Sequence, residues 1–176
     1  MVKLVTEIRS FYSLKELSES LEEEIGSYKA VVEEYNQRLG SLLREMEATH
    51  GNEEWFKKIS ALQKSSKKGK SKGKEKKKGS SSGWVVFKDI MLSKDEQGEA
   101  QILFEAIEEL NNKVTRLVKI KDTIEDLKRL GLGEDILYSA YVHGGIPEKI
   151  VLHKRGEENI SEKFEFIAAF SASKSS

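Results

Sequence analysis

Apolar positions recur at alternating steps of three and four through the first 46 residues. From Leu4 the series runs through Phe11, Leu14, Leu21, Ile25, Tyr28, Val32, Tyr35, Leu39 and Leu42 to Met46, broken only at Glu7 and Ser18. A sustained 3.5-residue period keeps one seam of a helix turned towards a partner helix. The pattern predicts a long helix that starts near Val2 or Ser13 and ends near Thr49. Leu17, Val31 and Leu43 flank the seam and widen it, and Tyr28 and Tyr35 occupy d positions where a two-stranded zipper prefers Leu. The stripe therefore suits a helix touching two neighbours. Gly26 and Gly40 fall at b positions, where they are expected to face solvent.

His50-Gly51-Asn52 should end this helix, because Gly is favoured just past a helix end. Asn52 could then cap a short helix carrying Trp55, Phe56, Ile59 and Leu62, expected to fold back as a satellite core. Order resumes at Trp84, where the run to Leu92 reads as one strand. Ser93 and Glu96 have capping-box spacing, and a second stripe follows through Leu103, Ile107, Leu110, Val114 and Leu117. It continues to Ile120, Ile124 and Leu127, predicting a helix over about 94–131 closed by Gly131. Three short strands are expected at Ile136–Val142, Lys149–Lys154 and Phe164–Phe170, with turns at His143–Pro147 and Arg155–Asn159.

These elements define an α+β, helix-dominated fold. Two long coiled-coil-type helices are joined by a disordered Lys-rich linker, with a small C-terminal antiparallel sheet attached. The division is 1–63 for the helical arm, 64–83 for the basic linker and 84–176 for the strand, long helix and C-terminal strands. A straight helix over 94–130 would be about 55 Å long, against about 27 Å for an eight-residue strand. The Trp84 strand could then not reach strands beyond Gly131. Either the helix bends, near Asn111-Asn112 or at the stammer where the stripe jumps by three from Leu117 to Ile120, or β structure lies at both of its ends and the Trp84 strand pairs across subunits. The straight helix is the favoured alternative, since two Asn rarely break so strong a stripe.

Composition adds bounds. No Cys is present, which excludes disulfides, thiol nucleophiles and Cys-ligated metals. The opening residues are amphipathic and contain acid, unlike a secretory or transit peptide, and no apolar run approaches the roughly 18 residues of a membrane span. A cytoplasmic location is expected. The zero net charge hides an asymmetry: nine Lys and one Glu lie between Lys64 and Lys78.

That tract is the sharpest candidate for a ligand. Lys64, Lys67, Lys68, Lys70, Lys72, Lys74, Lys76, Lys77 and Lys78 could neutralise phosphates and give salt-sensitive, non-specific nucleic-acid binding. Without Arg or interleaved aromatics the tract lacks base-reading and stacking groups. It could equally be a linker alone, or rest on an acidic protein surface. Catalytic signals are thin. His50, His143 and His153 share no metal-ligand spacing, Gly144-Gly145 lacks a dinucleotide-loop context, and the Glu runs at 22–24 and 33–34 read as solvated faces. No enzyme activity, cofactor, metal or small-molecule substrate is expected.

The favoured function is a non-enzymatic coiled-coil interaction or scaffold protein. Its helix interface would comprise Leu21, Ile25, Tyr28, Val32, Tyr35, Leu39 and Leu42 facing Leu103, Ile107, Leu110, Val114 and Leu117. The partner is another copy or another coiled-coil protein. The alternative is a nucleic-acid-associated protein using the Lys tract. A third reading, by architectural analogy with prefoldin, is a chaperone-like helical clamp on a β platform, although no segment matches that family closely.

Overall fold

A computed structural model describes residues 5–66, 83–132, 136–154 and 160–174. The element order is β1 (Thr6–Phe11), α1 (Leu14–His50), α2 (Glu54–Ser66), β2 (Val85–Phe87), β3 (Ile90–Leu92), α3 (Glu96–Arg129), β4 (Ile136–His143), β5 (Ile146–Lys154) and α4 (Ile160–Lys174). The architecture is helix-dominated, with 67% of the described residues helical and small antiparallel sheets. The chain forms two compact units, one of Met1–Tyr28 with Asn112–Ser176 and one of Lys29–Asn111, so α1 and α3 each contribute to both.

The first unit is built on a three-stranded sheet in the order β1-β4-β5. In β4 the burial alternates, with Ile136, Tyr138, Ala140 and Val142 inside, as a half-buried strand requires. These residues meet Leu14, Leu17, Leu21 and Ile25 of α1 and Leu117 and Ile124 of α3 in one apolar cluster. Within this unit, Ser18 donates to Glu125 at 2.9 Å and Lys121 reaches Glu22 at 3.3 Å, so α1 and α3 run antiparallel. A register shift between Tyr141 and Val142 admits Pro147 on the edge strand β5.

The second unit has its own core. Leu39, Leu43 and Met46 of α1, Phe56 of α2, and Ala100, Leu103 and Ile107 of α3 are buried together. Antiparallel pairing recurs, with Arg38 on Glu99 at 2.7 Å and His50 3.5 Å from Glu96. Helix α2 folds back as expected, Phe56 being buried and Trp55 and Ile59 packing against the cluster. Gly40 does not face open solvent. A Cβ there would lie 3.1 Å from Nε2 of the buried Gln63, which donates to the Asn36 carbonyl.

The element boundaries sharpen or correct further expectations. Of the two expected starts, near Val2 or Ser13, the first helix takes the second and begins at Leu14, because Thr6–Phe11 pairs with β4 in register Ile8↔Tyr141 and Phe11↔Tyr138. Ser13 caps it, its Oγ accepting from the Glu16 amide at 3.1 Å while Glu16 accepts from the Tyr12 amide at 2.8 Å. The Trp84–Leu92 segment is two strands paired with each other, Phe87↔Ile90. The segment expected as strand Phe164–Phe170 lies inside helix α4, where Ala168 and Ala169 favour helix over the period-two pattern of Phe164, Phe166 and Ala168. Helix α2 extends through Ser66, taking Lys64 out of the linker. Asn111-Asn112 do not interrupt α3. The linker residues 67–82 and the turn at 155–159 lie outside the described residues.

Candidate interaction surface

The expected helix interface is divided between two internal cores. Leu21, Ile25, Tyr28, Val114 and Leu117 belong to the first unit's cluster. Val32, Tyr35, Leu39, Leu42, Leu103 and Ile107 belong to the second's. Leu110 is half-buried. The stripes thus meet within one chain. Of the Lys tract, only Lys64 is described, exposed on α2; Lys67, Lys68, Lys70, Lys72, Lys74, Lys76, Lys77 and Lys78 lie outside the described residues.

The three histidines are dispersed. His143 and His153 lie on the outer face of the first unit's sheet, hydrogen-bonded to Thr6 at 3.0 Å and Ser139 at 2.9 Å. Beside His143, Gly144-Gly145 forms the β4–β5 turn against α1. Gly145 has φ +81°, and a Cβ there would lie 2.8 Å from Tyr28 Oη and 3.0 Å from Glu24 Oε2. Arg9 reaches the other Glu24 oxygen at 3.0 Å and also pairs with Glu7. Burial opposes the Arg9 charge, but hydrogen bonds to Glu7 and Glu24 together outweigh it and raise the guanidinium's pKa. This cluster seats the turn, with Arg9 paired to both Glu7 and Glu24 within the unit.

His50 lies at the end of α1 in the second unit, its Nδ1 2.8 Å from Glu53 and its ring centroid 5.5 Å from that of Trp55. The Glu53 hydrogen bond is the largest influence; burial, the next largest, opposes it, and the charges of Glu53 and Glu96 help raise the imidazole above its ordinary pKa. Glu53 is lowered, first by His50 and then by the Trp55 indole N–H that it accepts. These groups and Lys94 to Gln97 line a shallow cleft. Among the described residues, no group of three or more His, Asp or Glu side chains is placed to hold a metal ion.

The most unusual surface is the β2–β3 hairpin. Cross-strand pairs Val85↔Leu92 and Phe87↔Ile90 share one face, and Val86↔Met91 form the other. Both faces are therefore apolar. All six residues are between 52% and 68% exposed. A two-residue turn, Lys88-Asp89, reverses the chain, with Lys88 held at φ 52° in the left-handed region that Gly or Asn would occupy more readily. The hairpin is rooted on α3. The Trp84 indole N–H donates to Gln101 at 2.9 Å. A Cβ on Gly98 would meet Ser93 Oγ at 2.5 Å and Trp84 Cζ2 at 3.4 Å, so only Gly lets the root lie this close to the helix.

The sequence signal for this surface was legible as strand propensity, but not as exposure. Nine residues from Trp84 to Leu92 with apolar residues on both sides of Lys88-Asp89 look like a buried strand. Comparison with protein-family models, curated proteins and solved structures finds no match for the chain. No helix among the described residues is long and apolar enough to cross a membrane.

Proposed function

We propose that this is a non-enzymatic interaction or scaffold protein. The coiled-coil-type stripes of α1 and α3 serve as internal support in each unit, and the surface offered to a partner is the β2–β3 hairpin. One observation carries this reading: all six strand positions of the hairpin, apolar on both faces, are solvent-exposed. Contiguous apolar surface of this kind on a folded chain marks an interaction site. The rooting of Trp84 on α3 supports it further, because a pre-positioned element loses less freedom on binding. The test is retention of partners by the immobilised full chain against the double variant Val86→Lys, Met91→Lys. Binding of any component that disappears in the variant, at unchanged helicity, is the expected result. Identical retention by the two proteins would refute the reading.

The nucleic-acid reading rests on the nine Lys between Lys64 and Lys78. It predicts that removal of residues 67–78 abolishes duplex retention at low salt and flattens its salt dependence. A full chain that shows no retention at low salt ends it.

A further inference from the structure

We infer that His50 is a proton-operated latch within the second unit. Its imidazolium, held between Glu53 and Glu96, ties the end of α1 to the first turn of α3. Loss of the proton frees that turn and the hairpin rooted on it. The inference deepens the association reading by giving the β2–β3 hairpin a regulator, while the latch itself stands on the geometry around His50.

The first argument is the placement of two carboxylates on one ring. Nδ1 of His50 lies 2.8 Å from Glu53 Oε1, and Nε2 lies 3.5 Å from Glu96 Oε2. A carboxylate only accepts hydrogen bonds, and a neutral imidazole carries a single N–H. With His50 neutral, one ring nitrogen would turn its lone pair towards a carboxylate oxygen. The imidazolium alone donates to both at once, so this arrangement belongs to the protonated ring. The helix ends favour it too. His50 is the last residue of α1 and Glu96 the first of α3, which sets a cation at a C-terminus and an anion at an N-terminus.

The remaining groups around the ring leave this pairing intact. Trp55 faces it from α2, and Lys94, Asp95 and Gln97 line the same cleft at the start of α3. Asp95 is turned towards Gly83, whose Cβ would lie 2.6 Å from Asp95 Oδ2. Lys94 brings a like charge to the cleft, yet the imidazole is still raised above its ordinary value.

The second argument is what the latch holds. Glu53 lies three residues from His50 and stays beside it, whereas Glu96 comes from a distant part of the chain and makes the longer contact. Loss of the proton therefore releases Glu96 first. The freed segment is the first turn of α3, and helix ends open more readily than any other part of a helix. That turn carries the root of the hairpin. Gly98 lies against Ser93 and the Trp84 ring, and Gln101 accepts from the Trp84 indole at 2.9 Å. The latch is closed below the ordinary imidazole value of 6.5 and opens as pH climbs through the raised one.

Amide–solvent exchange in the full chain, followed by NMR from about pH 5.5 to about pH 8.5 and corrected for the intrinsic pH dependence of exchange, tests the latch. The reporters are the Gly98 and Glu99 amides, which donate to the Asp95 carbonyl at 3.0 and 3.3 Å, and the Trp84 indole N–H. Their protection is expected to fall on the order of threefold as pH crosses the His50 midpoint, the scale of one exposed ion pair. In Glu96→Gln the side chain donates to a neutral Nε2 or accepts from a protonated one, so the step should vanish at unchanged helicity. No step in the wild type, or an equal step in Glu96→Gln, overturns the latch. A step at Gly98 and Glu99 without one at the Trp84 indole overturns its hold on the hairpin. None of these readouts needs a partner, so the latch fails separately from the association reading. A partner retained through the hairpin equally on both sides of the midpoint overturns the regulation and leaves that reading standing.

Discussion

Among the described residues are two β-hairpins of similar apolar character and opposite fate. In β4–β5, eight and nine residues long, Ile136, Tyr138, Ala140 and Val142 face a helical layer and are almost wholly buried. In β2–β3, three residues on each side expose both faces. The difference lies in the neighbours. The long hairpin has β1 along one edge and α1 and α3 against its inner face, whereas among the described residues the short one is tied to α3 at its root. An apolar strand thus takes its meaning from what covers it: β4 is core, and β2–β3 is a surface awaiting cover.

The largest test of this contrast sets two isoleucines at strand starts against each other. Ile136→Ala should lower unfolding stability by about 2–5 kcal/mol in denaturant titrations, since the side chain is fully buried. Ile90→Ala, at 63% exposure, should change it by no more than about 0.5 kcal/mol in dilute protein. Equal losses would mean that the short hairpin is core after all.

The turns come next. Gly145→Ala should cost about 1–3 kcal/mol, because a positive φ coincides with close contact to Tyr28 and Glu24. At Gly144, with φ +57° and no atom within 4 Å of a Cβ, the backbone penalty stands alone at about 1 kcal/mol. Calorimetric melting should rank the two variants in that order. Lys88→Gly should relieve about 1 kcal/mol of left-handed strain in β2–β3. Slower amide exchange across Val85–Leu92 is the expected readout, and unchanged exchange would show that the turn is not what limits the hairpin.

The smallest effect is a pH dependence at the end of α1. His50 is raised, so its contribution is fully present below its ordinary value of 6.5 and is lost as pH climbs through the raised one. Glu53 is lowered, so its contribution holds above 4.5 and is lost as pH falls through the lowered value. The pair therefore stabilises most between those limits. Proton NMR should place the His50 midpoint above 6.5, and Glu53→Gln should move it down. A midpoint insensitive to that change would remove Glu53 as the cause.

Much of the helical framework was readable because burial leaves a period behind. The stripe from Leu14 to Met46 and that from Leu103 to Leu117 mark the faces that pack, and Ser13 with Glu16 marks where α1 starts. That capping pair was the signal that could have separated β1 from the helix. Leu4 and Phe11 fit the heptad by spacing alone, while Thr6–Phe11 alternates in burial, with Glu7, Arg9 and Phe11 on the more buried side and Ile8 exposed, a pattern its hydropathy does not carry. In α4 the alternation of Phe164 and Phe166 pointed the wrong way, since a short apolar run suits either period.

By itself, then, the sequence determined which residues seek apolar cover, where the long helices lie, and that charge is concentrated in one Lys tract. Local periodicity and composition suffice for those, because they depend on neighbours a few positions apart. Only the tertiary structure decided that the two stripes satisfy each other within the chain, that the N-terminal strand closes on β4, and that Trp84–Leu92 turns back on itself in the open. Those outcomes depend on contacts between residues distant along the chain, where many pairings satisfy the same pattern and packing selects one.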